Sequence, residues 1–246
     1  MNNATFFFNQ PKNEPVFSYA KGSKERELLS KELEKQYNQC IEIPIIINGK
    51  EIRTGNVSEV VMPTEHSHVL AKFHKADKET VQKAIEAALE ARKKWENVHW
   101  IDRCSIMLRA AELLAGKYRY VINAATMLGQ GKNPFQAEID SACETIDFLR
   151  FNVHYASKIY AQQPLSDNSA INRLEYRGLE GFVYAISPFN FTSIACNLNI
   201  SPVLMGNVTV WKPATTAVLS NYYLMKILQE AGVPDGVINF VPGDGS

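Results

Sequence analysis

Apolar and polar positions change their rhythm along the chain, in three stages. Residues 1–40 are polar and loop-rich, apart from a charged stretch, Lys24–Tyr37 (KERELLSKELEKQY), that reads as a helix. Residues 41–75 read as strands. Within them Ile43-Pro-Ile-Ile-Ile47 runs into Asn48-Gly49, a pair that tolerates the positive φ of a type I′ turn and so predicts a hairpin. From Asp77 to about Gln163 the periodicity is helical. Asp77 can cap the first helix by accepting from exposed backbone N–H groups, and Val81, Ile85, Leu89 and Trp95 supply one apolar face. A second helix is expected over about Asp102–Leu114. A long third one starts near Pro134, a favourable first-turn residue, and continues through Tyr160.

Beyond residue 174 the order becomes strand, helix, strand, helix, strand. Gly181–Ile186 is a short apolar run, followed by a loop (Ser187–Phe191) and a helix-like segment to about Met205. Asn207–Trp211 is the second strand. An amphipathic helix over Val218–Ala231 is stopped by Gly232 and Pro234, and Val237–Val241 is the third strand. This order predicts an α/β fold: N-terminal helices and strands leading into a doubly wound, Rossmann-like parallel sheet. The sequence closes at Ser246, so the sheet is expected to be truncated after its third strand. That strand would lack its covering helix and leave apolar side chains exposed.

Open parallel sheets bind ligands at the carboxyl ends of their strands. Ser187-Pro-Phe-Asn190 follows the first strand and Lys212-Pro-Ala-Thr215 the second, so both clusters should face one crevice. No GxGxxG follows the first strand, and Gly243-x-Gly245 is too short to serve as one. On residue type alone, Asn190 also suits a helix cap, Lys212 a solvated strand end, Phe191 a core position and Glu144 a salt-bridge partner.

Composition narrows the classes. Lys plus Arg and Asp plus Glu each total 26, a zero net charge that gives no electrostatic reason for nucleic acid or an anionic membrane as partner. No apolar run is long enough for a membrane span. Cys40, Cys104, Cys143 and Cys196 lie far apart, which suits reduced structural thiols better than zinc or a disulfide framework. His66-x-His68 lacks matching carboxylates and reads as surface, so no metal is expected. Met1–Phe8 carries no positive charge before its aromatic run, unlike a signal or transit peptide, which favours the cytoplasm, or the mitochondrial matrix in a eukaryote.

Three ordered motifs point to a family. Ile186-Ser-Pro-Phe-Asn190-Phe, Met205-Gly-Asn-Val-Thr-Val-Trp-Lys212-Pro and Ala231-Gly-Val-Pro-Asp-Gly-Val-Ile-Asn-Phe-Val-Pro-Gly243 resemble the aldehyde dehydrogenase superfamily. Upstream, Asn13-Glu-Pro-Val, Lys24-Glu-Arg, Met127-Leu-Gly-Gln-Gly-Lys132, Gln136-Ala-Glu-Ile-Asp140, Phe148-Leu-Arg-Phe-Asn152 and Tyr176-Arg-Gly-Leu-Glu-Gly181 resemble its L-glutamate γ-semialdehyde (1-pyrroline-5-carboxylate) dehydrogenases. The resemblance implies NAD-dependent oxidation of the semialdehyde to glutamate, through a cysteine nucleophile and a glutamate that assists hydrolysis. It implies that Asn190 donates its amide to the developing oxyanion. It places Ile186, Ser187, Pro188, Phe189, Lys212, Pro213, Thr215 and Gly243 at the cofactor, with Lys212 on the adenosine ribose. Glu144 and Phe191 fall beside the substrate. Thr215 stands where many relatives carry an acidic residue that would repel a 2′-phosphate, which weakens the sequence case for NAD over NADP.

The family's nucleophile and glutamate would lie beyond Ser246, so the chain is expected to be an N-terminal part, inactive alone. The alternative is a catalytically dead nucleotide-binding or subunit-interaction module. The division expected is an extension over 1–40 and an incomplete NAD-binding domain over 41–246, with 162–172 contributing to an oligomerisation hairpin. The resemblance implies a homo-oligomer when complete.

Overall fold

Ile41–Ile47 is almost unbroken apolar sequence, yet Pro44, which lacks a backbone donor, divides it between two sheets. The computed structural model describes residues 8–245; Met1–Phe7, most of the segment used above to judge targeting, lie outside them. β1 (Ile41–Ile43) pairs in parallel with β5 (Glu65–His74), which pairs antiparallel with β4 (Val57–Met62). β2 (Ile45–Ile47) turns through Asn48 (φ 50°) and Gly49 (φ 73°) into β3 (Lys50–Ile52), the hairpin expected from Asn-Gly.

The second sheet has the order β3-β2-β8-β7-β6. β6 (Val183–Ile186), β7 (Thr209–Lys212) and β8 (Ile238–Phe240) are parallel, joined by α7 (Thr192–Leu204) and α8 (Val218–Ala231). The hairpin enters beside β8, where β2 pairs antiparallel with it, so the sheet is mixed. This overturns the expectation of an uncovered third strand. β8 is central and wholly buried, paired on both edges. The outer strands of this sheet are β3 and β6, and on β6 Tyr184 and Ile186 are 55% and 60% exposed.

Strand alternation sorts the sheet's faces. Trp211 and Phe240 meet edge-to-face at 5.1 Å on the face covered by α8, whose Tyr222 reaches the Phe240 ring. Tyr184, Val210 and Lys212 look the other way, towards α2 (Lys78–Trp95). Asp77 caps α2 as expected, accepting from the Thr80 N–H at 2.8 Å. The buried stripe of α2 is Thr80, Ala84, Ala88 and Trp95, however, while Val81 and Leu89 are exposed. Small side chains win that face because the helix lies close on the sheet. At Gly236 (φ 82°) an added Cβ would come within 2.9 Å of the Ala91 Cβ.

Away from the sheet, α1 (Lys24–Tyr37) starts at its Ser23 cap and lies on α4 (Arg119–Gln130). α3 (Trp100–Ala115) packs against α6 (Thr145–Ala161). The expected long helix from Pro134 is present but interrupted: α5 (Pro134–Ala137) passes through a π-helical segment, Glu138–Glu144, into α6. Residues 162–175 fold back on themselves, with the Leu174 N–H on Gln163 Oε1 at 2.8 Å and the Asp167 N–H on the Ala170 carbonyl at 3.1 Å.

Candidate functional site

The carboxyl ends of β6 and β7 carry both polar clusters, and Ile186 sits opposite Lys212 in the strand register. A cavity of about 320 Å³ opens there, lined by Lys212, Val241, Pro242 and Gly243 from the strand ends, by Tyr184 and Val210, and by Asp77, Lys78 and Val81 of α2. The wall at Gly243 is fixed by the Ala76 N–H on the Pro242 carbonyl (2.8 Å) and by the Lys75–Asp244 ion pair (3.0 Å). Pro213 is buried behind the strand end, and Thr215 opens the short 3₁₀ turn Thr215–Ala217 that leads into α8.

A nucleotide fits this crevice on three grounds. The volume matches a nucleoside-sized group, the position is the strand-end crevice of an open sheet, and Lys212 supplies cationic donors suited to ribose hydroxyls.

Ser187 begins the neighbouring loop and is buried. Its hydroxyl accepts from Trp211 Nε1–H at 3.0 Å and from the Asn221 amide at 3.4 Å. That side chain is committed to the core. Thr192, the other end of the loop, is wholly buried and bonded to Thr126 (2.9 Å), Gln130 (2.7 Å) and Ser220 (3.1 Å). Phe189, Asn190 and Phe191, held between these anchors, are exposed, and Pro188 is half-buried.

Phe191 forms part of a second cavity, of about 640 Å³, with Glu144, Cys143, Asp147, Phe148 and Tyr155. Among the described residues Glu144 forms no ion pair; its carboxylate accepts from the Ser193 hydroxyl at 2.7 Å. One wall comes from residues 13–16, pinned by the Glu14 N–H on Asp147 (2.7 Å) and by the Glu14 carboxylate on Arg119 and Arg150. The loop carrying Asn190 therefore starts after Ile186, the register partner of Lys212, and ends at the Glu144–Phe191 cavity.

None of the buried thiols is prepared for attack. Burial pushes Cys196 up to about 12; burial, and then the Glu138 charge, do the same for Cys143. His66 and His68 lie on β5, where His68 stacks on Tyr37 at 4.0 Å.

Three residues escaped the sequence reading. Asp140 accepts from the backbone N–H groups of Thr192 and Ser193, Lys132 pairs with Asp140, and Ser193 holds Glu144. Asp140 lies in a quoted motif and Thr192 directly follows another, but the contact spans 52 positions and no local spacing encodes it.

Such a sheet, with its strand-end crevice and donor-bearing loop, defines an α/β domain of the dinucleotide-binding kind. Residues 51–246 match the aldehyde dehydrogenase family, and the chain belongs to it. It is 54% identical over 242 residues to the Δ1-pyrroline-5-carboxylate dehydrogenase of Agaricus bisporus, covering 98% of this chain and 44% of that protein. To the mitochondrial Δ1-pyrroline-5-carboxylate dehydrogenase of Homo sapiens it is 51% identical, covering 95% of this chain and 41% of the other. The crystal structure of the Mycobacterium tuberculosis Δ-pyrroline-5-carboxylate dehydrogenase bound with NAD superposes with a TM-score of 0.97 at 47% identity, covering 99% of this chain and 46% of that one. The chain thus spans less than half the length of these relatives.

Proposed function

We propose that this chain is the cofactor-binding part of an NAD-dependent dehydrogenase that oxidises L-glutamate γ-semialdehyde (1-pyrroline-5-carboxylate) to glutamate. The observation that carries the reading is the Ser187–Thr192 loop, anchored at both ends and holding exposed Asn190 between the end of β6 beside Lys212 and the Glu144–Phe191 cavity. The relatives' names supply the substrate, and the NAD-bound neighbour supplies the cofactor.

Bound NAD accepts the hydride; the rest falls to the protein. Lys212 donates to the ribose hydroxyls, Gly243 leaves its stretch of wall free of a side chain, and Thr215 follows Lys212 by three residues, outside the lining of the cavity. Ile186 and Phe189 are exposed apolar side chains that bound cofactor would cover, with Pro188 beside them, while Pro213 is buried behind the strand end. Ser187 contributes by fixing the loop, since its hydroxyl is already engaged. The Asn190 amide donates to the aldehyde oxygen as negative charge grows on it, and such a donor stabilises the transition state more than the ground state. Glu144 and Phe191 border the aldehyde.

The division favoured is an extension over 1–40 and a cofactor domain over 41–246. The folded-back segment 162–172, with Leu165 and Ile171 exposed, suits an oligomer contact. No helix among the described residues is long and apolar enough to cross a membrane. A reducing interior, cytoplasm or mitochondrial matrix, suits the four free cysteines.

The test is turnover by the complete protein: NAD reduction with glutamate semialdehyde, together with calorimetry of NAD binding. Lys212→Ala is expected to weaken NAD binding by about 1–2 kcal/mol and to leave kcat nearly unchanged at saturating cofactor. Unchanged NAD affinity would return Lys212 to a solvated strand end. A complete protein that binds NAD without turnover would favour the inactive module.

A further inference from the structure

We infer that Asp140, braced by Lys132, is a positioning residue for the loop that presents Asn190 and Phe191. The inference rests on the reading of Asn190 as the oxyanion donor.

α7 has no side-chain cap of its own, because Phe191 occupies the N-cap position (φ −136°, ψ 120°) and has no acceptor to offer. The cap comes instead from another element. Asp140, 2% exposed in the π-helical segment, accepts from the Thr192 N–H at 3.1 Å through one oxygen and from the Ser193 N–H at 3.0 Å through the other. A carboxylate holding two N–H groups at a helix N-terminus fixes both direction and register of the first turn. The Lys132 ammonium lies 2.5 Å from the same carboxylate and 4.2 Å from the centre of the Phe191 ring. One cation thus ties the cap to the residue next to Asn190. One turn along the π-helix, Glu144 receives the Ser193 hydroxyl. The widened turn sets Asp140 and Glu144 on the same end of α7.

An amide donor must meet the oxygen where charge develops, and a displacement of about 1 Å can cost about a hundredfold in rate. Asn190 itself is exposed, so its placement depends on the backbone that Asp140 holds.

The experiment is a double-mutant cycle in the complete enzyme, with kcat, KM for each substrate and NAD affinity measured at saturating partner. Asp140→Ala is expected to lower kcat by about a hundredfold without changing NAD affinity, since Lys212 sits on another strand. Asp140→Asn, which keeps one acceptor oxygen, should recover part of that loss. In the Asn190→Ala background Asp140→Ala should lower kcat little further, because a displaced donor and a missing donor are the same defect. Lys132→Met spares both N–H bonds to Asp140, and it should lower kcat about tenfold even if Asp140→Ala fails to fold.

Full additivity of the two losses, or an Asp140→Ala enzyme that is less stable but has normal kcat, overturns the inference and makes Asp140 a structural cap only. If Asp140→Ala does not fold, a normal kcat in Lys132→Met overturns it. Near-normal kcat in Asn190→Ala overturns the oxyanion reading itself, and the inference with it. That result is read from the Asn190 variant alone, so the two failures are distinguishable.

Discussion

On the proposed reading, Asn190 and Lys212 divide two tasks: the first would meet the reacting oxygen, the second would hold the cofactor's far end. Removing the Asn190 amide takes away a contact made mainly in the transition state. Asn190→Ala in the complete enzyme is therefore expected to lower kcat by about a hundredfold or more while NAD affinity stays within about twofold. Steady-state rates alongside calorimetry check this, and a large rise in KM for NAD with normal kcat would count against it. At this scale the sequence was informative about placement where residues sit at neighbouring strand ends, as with Lys212 and Gly243, which line one cavity. It was silent where a side chain's job is set by a distant partner. Ser187, grouped with the cofactor contacts, spends its hydroxyl on Trp211 and Asn221. Asp140 spans 52 positions to cap a helix.

Among the elements, α1 and α8 run from Lys24 to Tyr37 and from Val218 to Ala231, as their patterns imply. α2 does not present the face its large apolar residues suggest, because the sheet selects the alanines that let it approach. The π segment is the element that sequence periodicity could not reveal, since one widened turn leaves the apolar spacing of a long helix nearly intact. Its first residue anchors the N-terminal strap. Glu138, wholly buried, accepts from Arg119, Tyr19 (2.6 Å), Asn123 (2.8 Å) and the Phe17 N–H (2.9 Å). Burial alone would raise its pKa, but the bonds from Arg119, Tyr19 and Phe17 outweigh it and hold the carboxyl below the usual range. A depressed folded pKa gives stability that is full above the unfolded value of about 4.3 and fades as pH falls through the folded value. Glu138→Gln is expected to cost up to about 3–5 kcal/mol at pH 7, because Arg119 loses the wholly buried one of its two counter-charges and keeps only Glu14. That gap should narrow below about pH 4. Urea unfolding at neutral and acid pH measures both, and a gap independent of pH would contradict the pairing.

At the scale of the whole molecule, the parallel order of β6, β7 and β8 was legible from alternating strands and helices, but the neighbour of β8 was not. A strand from residues 45–47 joining one from 238–240 has no local signature, so the sequence left β8 as an open edge that the hairpin in fact covers. The open edge at β6 has a measurable effect. The 246-residue polypeptide expressed alone is expected to associate with rising concentration, through the free edge and its exposed Tyr184 and Ile186. Tyr184→Lys with Ile186→Lys should shift sedimentation towards monomer, and an unchanged profile would place the association elsewhere. The hairpin beside β8 also orders events in time. The Asn48 N–H meets Asn239 across 191 positions, and at about 5–20 residues per second roughly 10–40 s of synthesis separate the two. Through that interval Ile45, Ile46 and Ile47 have no β8 to pair with, although all three are buried in the finished sheet. On the ribosome the hairpin is made early and seated only once β8 has emerged, and chains arrested before Ile238 should present those isoleucines to any chaperone that binds exposed apolar strands.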